Sequence, residues 1–403
     1  SPSPSCLPPP MPTQAQPISS PRLWGRWAFL LTACSLVLGA VGAAFLFGLR
    51  TVGATFAAHP WLLWTLPLIG IATVWAYARV GKRCAGGTTT LIAEIKDPQE
   101  TLPASMAPMI LGFTLFSHLG GASVGREGTA LQMGGAIADQ FSRLFTLAKE
   151  ERRTLLLCGV SGGFAAVFGT PIAAAIFALE FVRQRSWAVL PCLATAFLAD
   201  LVGRKLCFAT HADYRLPLPA SYDLKGLGSA LALGLVCGLI ARLYVWLSHR
   251  EAARTNDQPY ARIFFAGVTF SLMVYFYQLQ DFTGLGLHVI DSALVEPSAP
   301  TTFLFKFFLT GMCVWAGYRG GEVTPLFFVG ATLGSAAAAY LSLPLGVCAA
   351  LGFVAVFAGA GAVPLACAVM AGELFGWSIG GYALLACAVS WLVAGRSGLY
   401  DET

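Results

Sequence analysis

The chain is a succession of apolar runs with short polar punctuation. Runs long enough to cross a bilayer lie near 24–48, 61–79, 160–182, 187–203, 226–248, 261–279, 303–317 and 377–395. Shorter runs, cut by Gly or Pro, lie near 103–119, 128–146, 324–342, 345–359 and 362–375. Backbone polar groups at membrane depth need internal partners. The full runs therefore predict helices, and the cut ones predict broken helices that are buried or line a cavity. The expectation is an all-α multispanning membrane protein. Residues 1–20, rich in Pro, Ser and Gln, read as a disordered tail, and 21–400 as a single transmembrane domain with no cytoplasmic C-terminal domain after it. Arg22 and Arg26 flank the first run and no small-residue cleavage site follows, so the first helix is expected to be retained.

Composition agrees: 56% of residues are hydrophobic and only 11% charged, where a soluble fold is about a quarter charged. The net charge of +5 comes in short basic clusters, at Arg79–Arg83, Arg152-Arg153, Arg183–Arg185 and Arg204-Lys205. That distribution suits anchoring by the positive-inside rule and argues against nucleic acid as a partner. The 11 cysteines fall singly, with no Cys-x-x-Cys and no His at ligand spacing. No metal site and no cofactor is expected.

The few charges inside apolar stretches carry the chemistry. Residues 101–125 and 128–138 contain no Asp, Glu, Lys or Arg, yet Arg126-Glu127 sits between them in Gly125-Arg126-Glu127-Gly128-Thr129. An ionised side chain at the bilayer centre costs roughly 2.5–3.5 kcal/mol on insertion scales, so Glu127 is a functional candidate, the plain alternative being a helix-joining ion pair. The glycines around it let backbone amides approach a ligand at a helix start, where free N–H groups and the macrodipole favour an anion. Glu322 stands alone in the same way, since positions 323–372 hold no charge; its alternative role is a partner for Arg319.

The chain also repeats itself. Phe164, Ala165, Pro171, Ala173, Ala175, Ala178 and Glu180 recur 193 positions later as Phe357, Ala358, Pro364, Ala366, Ala368, Ala371 and Glu373. Gly125, Glu127, Thr129, Leu131, Gly135 and Ala136 recur 195 positions later as Gly320, Glu322, Thr324, Leu326, Gly330 and Ala331. Two matched blocks in the same order predict two structural halves, about 21–205 and 226–400. Paired, interrupted apolar segments in repeated halves are the pattern of a transporter with its ion site near the midplane, where half-helix N-termini would select an anion.

These residues resemble the motifs of the chloride channel and antiporter (CLC) family over most of the chain, from about 24 to 400. Gly125–Thr129 resembles its G-R/K-E-G-P motif, whose glutamate gates the anion path. Gly320–Pro325 resembles G-x-F-x-P, which offers backbone amides to the anion, and Tyr400 resembles the tyrosine whose hydroxyl touches the central anion. The resemblance implies inverted halves with broken helices meeting at a midplane anion site, and a homodimer. The anion-site residues it implies are Thr88, Thr89, Gly125, Arg126, Gly128, Val323, Thr324 and Tyr400, with Glu127 and Glu322 for gating and protons. Where chloride-selective members have G-S-G-I-P, this chain reads Gly86–Ile92 with three threonines; its gate motif ends in Thr129 rather than Pro, and Val323 replaces Phe. Those departures resemble the bacterial fluoride/proton antiporter branch. They imply a proton-coupled fluoride exporter in a bacterial inner membrane, giving fluoride resistance. Many chloride/proton antiporters have a Glu-Glu doublet where this chain has Glu180-Phe181, so Glu322 becomes the candidate inner proton acceptor.

The alternative within the family is a chloride channel or chloride/proton antiporter, with chloride as a second possible ion. Among enzymes, an intramembrane hydrolase would have to rest on Ser117-His118, which lacks a carboxylate and any G-x-S-x-G or H-E-x-x-H context, so no enzyme activity is expected. The threonines have local helix capping as their plain role.

Overall fold

The computed structural model describes residues 21–183, 188–211, 214, 216, 222–254, 258–395 and 397–401. The tail expected at 1–20 lies outside them. Among the described residues there are sixteen α-helices, and the one β-type pairing is an isolated bridge. The first half runs α1 (Pro21–Ala58), α2 (Leu66–Arg79), α3 (Thr88–Lys96), α4 (Met106–Leu119), α5 (Glu127–Phe145), α6 (Lys149–Phe168), α7 (Pro171–Val182) and α8 (Val189–Leu201). The second runs α9 (Leu224–Ala252), α10 (Pro259–Phe276), α11 (Leu287–Val295), α12 (Thr302–Ala316), α13 (Val323–Ala337), α14 (Leu345–Ala360), α15 (Pro364–Phe375) and α16 (Gly380–Ala394). Six segments are long and apolar enough to cross a membrane outright, including 25–58 and 224–252. Among the shorter apolar helices, Met106–Leu119, Leu345–Ala360 and Pro364–Phe375 fall where cut runs predict them, whereas Thr302–Ala316 replaces an expected full run and Val323–Tyr340, expected as a cut run, is one of the six.

One expected span is divided. The apolar run 160–182 is the end of α6 and all of α7, separated at Gly169-Thr170-Pro171. Gly169 has φ +82, a left-handed cap that glycine adopts without strain, and Pro171 starts the next helix, where its missing N–H is harmless. The second half breaks between α14 and α15 in the corresponding place, with Ala362 at φ +54 before Pro364.

The innermost helices are α6, buried from Leu155 to its end at Phe168, and α14, apolar all round and buried along nearly its whole length. Each packs against the helix that starts at the candidate site, α6 on α5 and α14 on α13, through glycine crossings. A Cβ on Gly134 would lie 2.2 Å from the Gly159 carbonyl oxygen, and one on Gly330 would lie 2.0 Å from that of Gly352. Neither crossing tolerates any side chain, so backbones meet directly and both half-site helices are fixed rigidly.

The two halves are antiparallel, and two glutamates demonstrate it. The Glu180 carboxylate, near the end of α7, accepts from the N–H groups of Leu365 (3.1 Å) and Ala366 (2.8 Å) at the start of α15. Glu373, near the end of α15, accepts from Ile172 (3.0 Å) and Ala173 (2.8 Å) at the start of α7. Each helix thus caps the free N-terminal donors of its repeat partner, which requires that the two run in opposite directions. Inverted halves, implied earlier by resemblance, follow here from hydrogen bonds.

On α5 and α6 a second network anchors the short α3. Arg152 bonds Asp139 through Nε (2.7 Å) and Nη2 (2.8 Å), Glu94 of α3 (3.0 Å) and the Glu100 carbonyl (2.7 Å). The buried Asp139 also accepts from the Leu102 N–H at 2.7 Å. With its charge bonded on several sides, the guanidinium stays buried at tolerable cost and holds the 97–105 connection against the helices.

Candidate functional site

The segments leading into α5 and α13 meet edge to edge. Gly125 and Gly321 exchange both backbone hydrogen bonds, the Gly321 N–H reaching the Gly125 oxygen at 3.0 Å. A Cβ on Gly125 would come within 2.9 Å of the Gly321 oxygen and 3.0 Å of Glu127 Oε2, so glycine is what allows this approach. Just past the contact the chain turns into helix on both sides, and the two N-termini converge.

Glu127 occupies that convergence and is fully buried. Its carboxylate accepts from the Thr324 N–H (Oε2, 3.0 Å), from the Thr324 hydroxyl (2.5 and 2.6 Å) and from the Arg126 N–H (3.2 Å). The Arg126 guanidinium lies 3.5 Å away through Nε, which has no hydrogen-bond partner among the described residues. A carboxylate held by free amides, a hydroxyl and a cation at helix starts is held as an anion is held. Beside it a cavity of about 10 Å³, roughly the room of one water, is lined by Arg126, Thr324, Tyr214, Phe168 and Phe327 among others.

The other sequence candidates fall around this centre unequally. Gly128 packs its Cα side against Gly321, and Val323 and Thr324 form the buried start of α13. Tyr400 and the carboxylates of Glu127 and Glu322 lie close enough to interact electrostatically, and its ring packs edge-on against Phe181 at 4.9 Å. Glu322 is the half-buried residue just before α13, and its side chain makes no capping hydrogen bond to that helix. Among the described residues no ion pair joins it to Arg319, whose guanidinium instead lies 3.8 Å from the centroid of the Tyr77 ring. Thr88 starts α3 and is half-buried. Thr89 is exposed and its N–H bonds the Gly86 carbonyl, so α3 turns it away from the others.

Three polar residues escaped the sequence reading. Gln132 donates to the Thr88 hydroxyl at 3.0 Å, and Tyr244 has a fully buried hydroxyl with no hydrogen-bond partner among the described residues, within electrostatic reach of Glu322. Lys306 is wholly buried on α12, donating to the carbonyls of Phe282 (3.0 Å) and Gly284 (2.7 Å). Each is a lone polar side chain in an apolar run, which was the available signal. Of the Ser117-His118 pair, His118 Nδ1 bonds its own helix at the Thr114 carbonyl (2.8 Å), and Ser117 Oγ has no partner among the described residues.

The sequence pattern of the voltage gated chloride channel family matches residues 69–395. The chain belongs to that family. It is similar to the "Chloride/fluoride channel protein" of Pseudomonas syringae pv. tomato, with 41% identity over 387 residues that cover 93% of this chain and 85% of the relative. Among solved structures it is similar to a CLC-type fluoride/proton antiporter, with 29% identity, a TM-score of 0.90, and coverage of 95% of this chain and 98% of the other. A slow cyanobacterial Cl-/H+ antiporter shares the fold at a TM-score of 0.81 with 19% identity, covering 93% and 96%. This CLC member is a multi-pass membrane protein of the anion-exchanging kind.

Proposed function

We propose that the chain is a fluoride/proton antiporter that exports fluoride and so confers fluoride resistance. The observation that carries the reading is the seat of the Glu127 carboxylate, gripped by Thr324 and Arg126 at two converging helix starts. An ionised Glu127 fills the position an anion would take. Protonation removes the charge for which the seat is built, the side chain leaves with its proton, and an anion replaces it. Alternation of the two links opposite fluxes. Glu322, placed within electrostatic reach of Tyr400, serves as the inner proton acceptor in this scheme.

Fluoride is preferred over chloride in this reading on two grounds: a small, strongly hydrated ion needs many strong donors, for which the Thr324 hydroxyl and amide, Tyr400 and Thr88 are the candidates, and the relatives at 41% and 29% identity carry fluoride in their names, the first together with chloride. The working unit in this proposal is a homodimer in a bacterial inner membrane, acting as a transporter rather than an enzyme. Reconstituted liposomes read with fluoride and chloride electrodes and a proton-sensitive dye decide it. Fluoride efflux should be much faster than chloride efflux and should drive proton uptake. Equal or chloride-favouring fluxes would replace fluoride by chloride in this scheme, and absent proton uptake would leave a channel.

A further inference from the structure

We infer that Tyr244 is a positioning residue for the proton step, its hydroxyl donating to the Glu322 carboxylate while that group is ionised; the inference rests on the proton role given to Glu322 above. Tyr244 lies on α9 and is 1% exposed. Its ring is caged by α12, edge-on to Phe307 at 5.2 Å and against Trp315 at 5.7 Å. Phenylalanine would fill that cage equally. The hydroxyl, however, is fully buried and has no hydrogen-bond partner among the described residues. Burying an O–H without an acceptor is costly, and such a group calls for a partner met in another state of the protein.

The acceptor it lacks is close by and equally unserved. Glu322 and Tyr400 both interact electrostatically with Tyr244, and the packing brings the three together. Trp315, which packs on Tyr244, is seven residues before Glu322 and is tied to α9 by its Nε1 bond to Ser248 Oγ at 2.9 Å. One turn before Tyr244, Ala241 meets Gly359 near the end of α14, where a Cβ on the glycine would stand 2.9 Å from that of Ala241. The carbonyl of the next residue, Ala360, accepts from the Leu399 N–H at 2.8 Å, and Tyr400 follows. Among the described residues the Glu322 carboxyl has no ion pair and no hydrogen bond outside its own residue. A donor without an acceptor thus stands near a carboxylate without a donor. The other ionisable group that acts on Tyr244 is the Cys313 thiol, a weak acceptor, which leaves Glu322 as the partner. Hydrogen bonds of this kind often close only in the working state.

The experiment uses the full chain in liposomes, with anion efflux and anion-driven proton uptake followed as functions of pH. Tyr244→Phe keeps the ring and removes the donor. The ionised carboxylate then loses a hydrogen bond, so Glu322 should hold its proton about tenfold more tightly and the half-point of the pH profile should move up by about one unit. The apparent Tm in detergent should equal or exceed the wild-type value; a hydroxyl with a merely structural role would cost Tm and leave the profile in place. Glu322→Gln lacks the titrating group, so adding Tyr244→Phe to it should change nothing further. An unmoved half-point, or a shift that persists in the Glu322→Gln background, overturns the inference. Should the Phe variant fail to fold, Tyr244→Met fills the cage without a donor and must give the same shift, and a wild-type half-point overturns the inference. Full proton coupling in Glu322→Gln would sink the proton role of Glu322 and this inference with it, whereas lost coupling there beside an unmoved Tyr244→Phe profile sinks this inference alone.

Discussion

Glu127→Gln keeps the shape of the side chain while removing its charge and its exchangeable proton. The amide fits the seat. Its oxygen can take the Oε2 position and accept from the Thr324 N–H (3.0 Å) and Arg126 N–H (3.2 Å), while its nitrogen donates to the Thr324 hydroxyl (2.5 Å). The difference is the charge: hydrogen bonds to an ionised group contribute about 1.5–3 kcal/mol, and neutral ones about 0.5–1.5. Three such contacts weakened by about 1 kcal/mol each lower occupancy of the seat by roughly 3 kcal/mol, or about two decades. The Arg126 guanidinium, 3.5 Å away, also loses its counter-charge. Proton uptake driven by an imposed fluoride gradient should therefore vanish in liposomes, because no group in the seat can carry a proton out of it. Whatever fluoride still moves should respond to voltage but not to pH. Fluoride-driven proton uptake by folded Glu127→Gln protein would refute the tethered-anion mechanism.

Glu322→Gln should lower both fluoride turnover and proton coupling, measured in the same vesicles; wild-type values for both would remove Glu322 from the proton route. Tyr400→Phe removes one buried hydroxyl that interacts electrostatically with both glutamates while keeping the edge-on contact with Phe181. It should lower fluoride preference about tenfold with little change in thermal stability, and an unaltered flux ratio would exclude the hydroxyl from the site. Gly330→Ala forces a Cβ to 2.0 Å from the Gly352 carbonyl oxygen, so the apparent Tm in detergent should drop by an amount corresponding to at least about 1–3 kcal/mol; a neutral result would mean that α13 and α14 can part without harm.

Much of the architecture was legible because membrane depth makes the alphabet simple. Long apolar runs became helices, Gly/Pro cuts became breaks, and Glu127 was conspicuous as a carboxylate between two uncharged stretches. The 195-residue offset placed Thr324 as the counterpart of Thr129, and the helices beginning at these two motifs do converge. What stayed hidden depended on direction and distance. The run 160–182 read as one span since Thr170 is only weakly polar, yet Gly169 and Pro171 divide it. The nine-residue helices α3 and α11 are too short to show a clear period. Adjacent threonines look equivalent in sequence, but the first turn of α3 leaves Thr88 against Gln132 and Thr89 exposed. Arg319 looked like a partner for Glu322 by proximity along the chain, while the structure stacks it on Tyr77 from α2. The glutamates at 180 and 373 show in sequence only as matched positions of the repeat; that each caps the other's helix is a fact of three dimensions.

That reciprocity bears on how the protein is made. Glu373 lies 200 positions beyond Ala173, so while the chain emerges from the ribosome the start of α7 is inserted long before its cap has been synthesised. Until then the amides of Ile172 and Ala173 have no carboxylate to meet, and Glu180 has no helix start to serve. Neither half is a complete module at that stage, and both caps close together when α15 docks. A nascent chain arrested before Glu373 should remain a substrate for membrane quality control, and separately expressed halves should persist only when each finds the other.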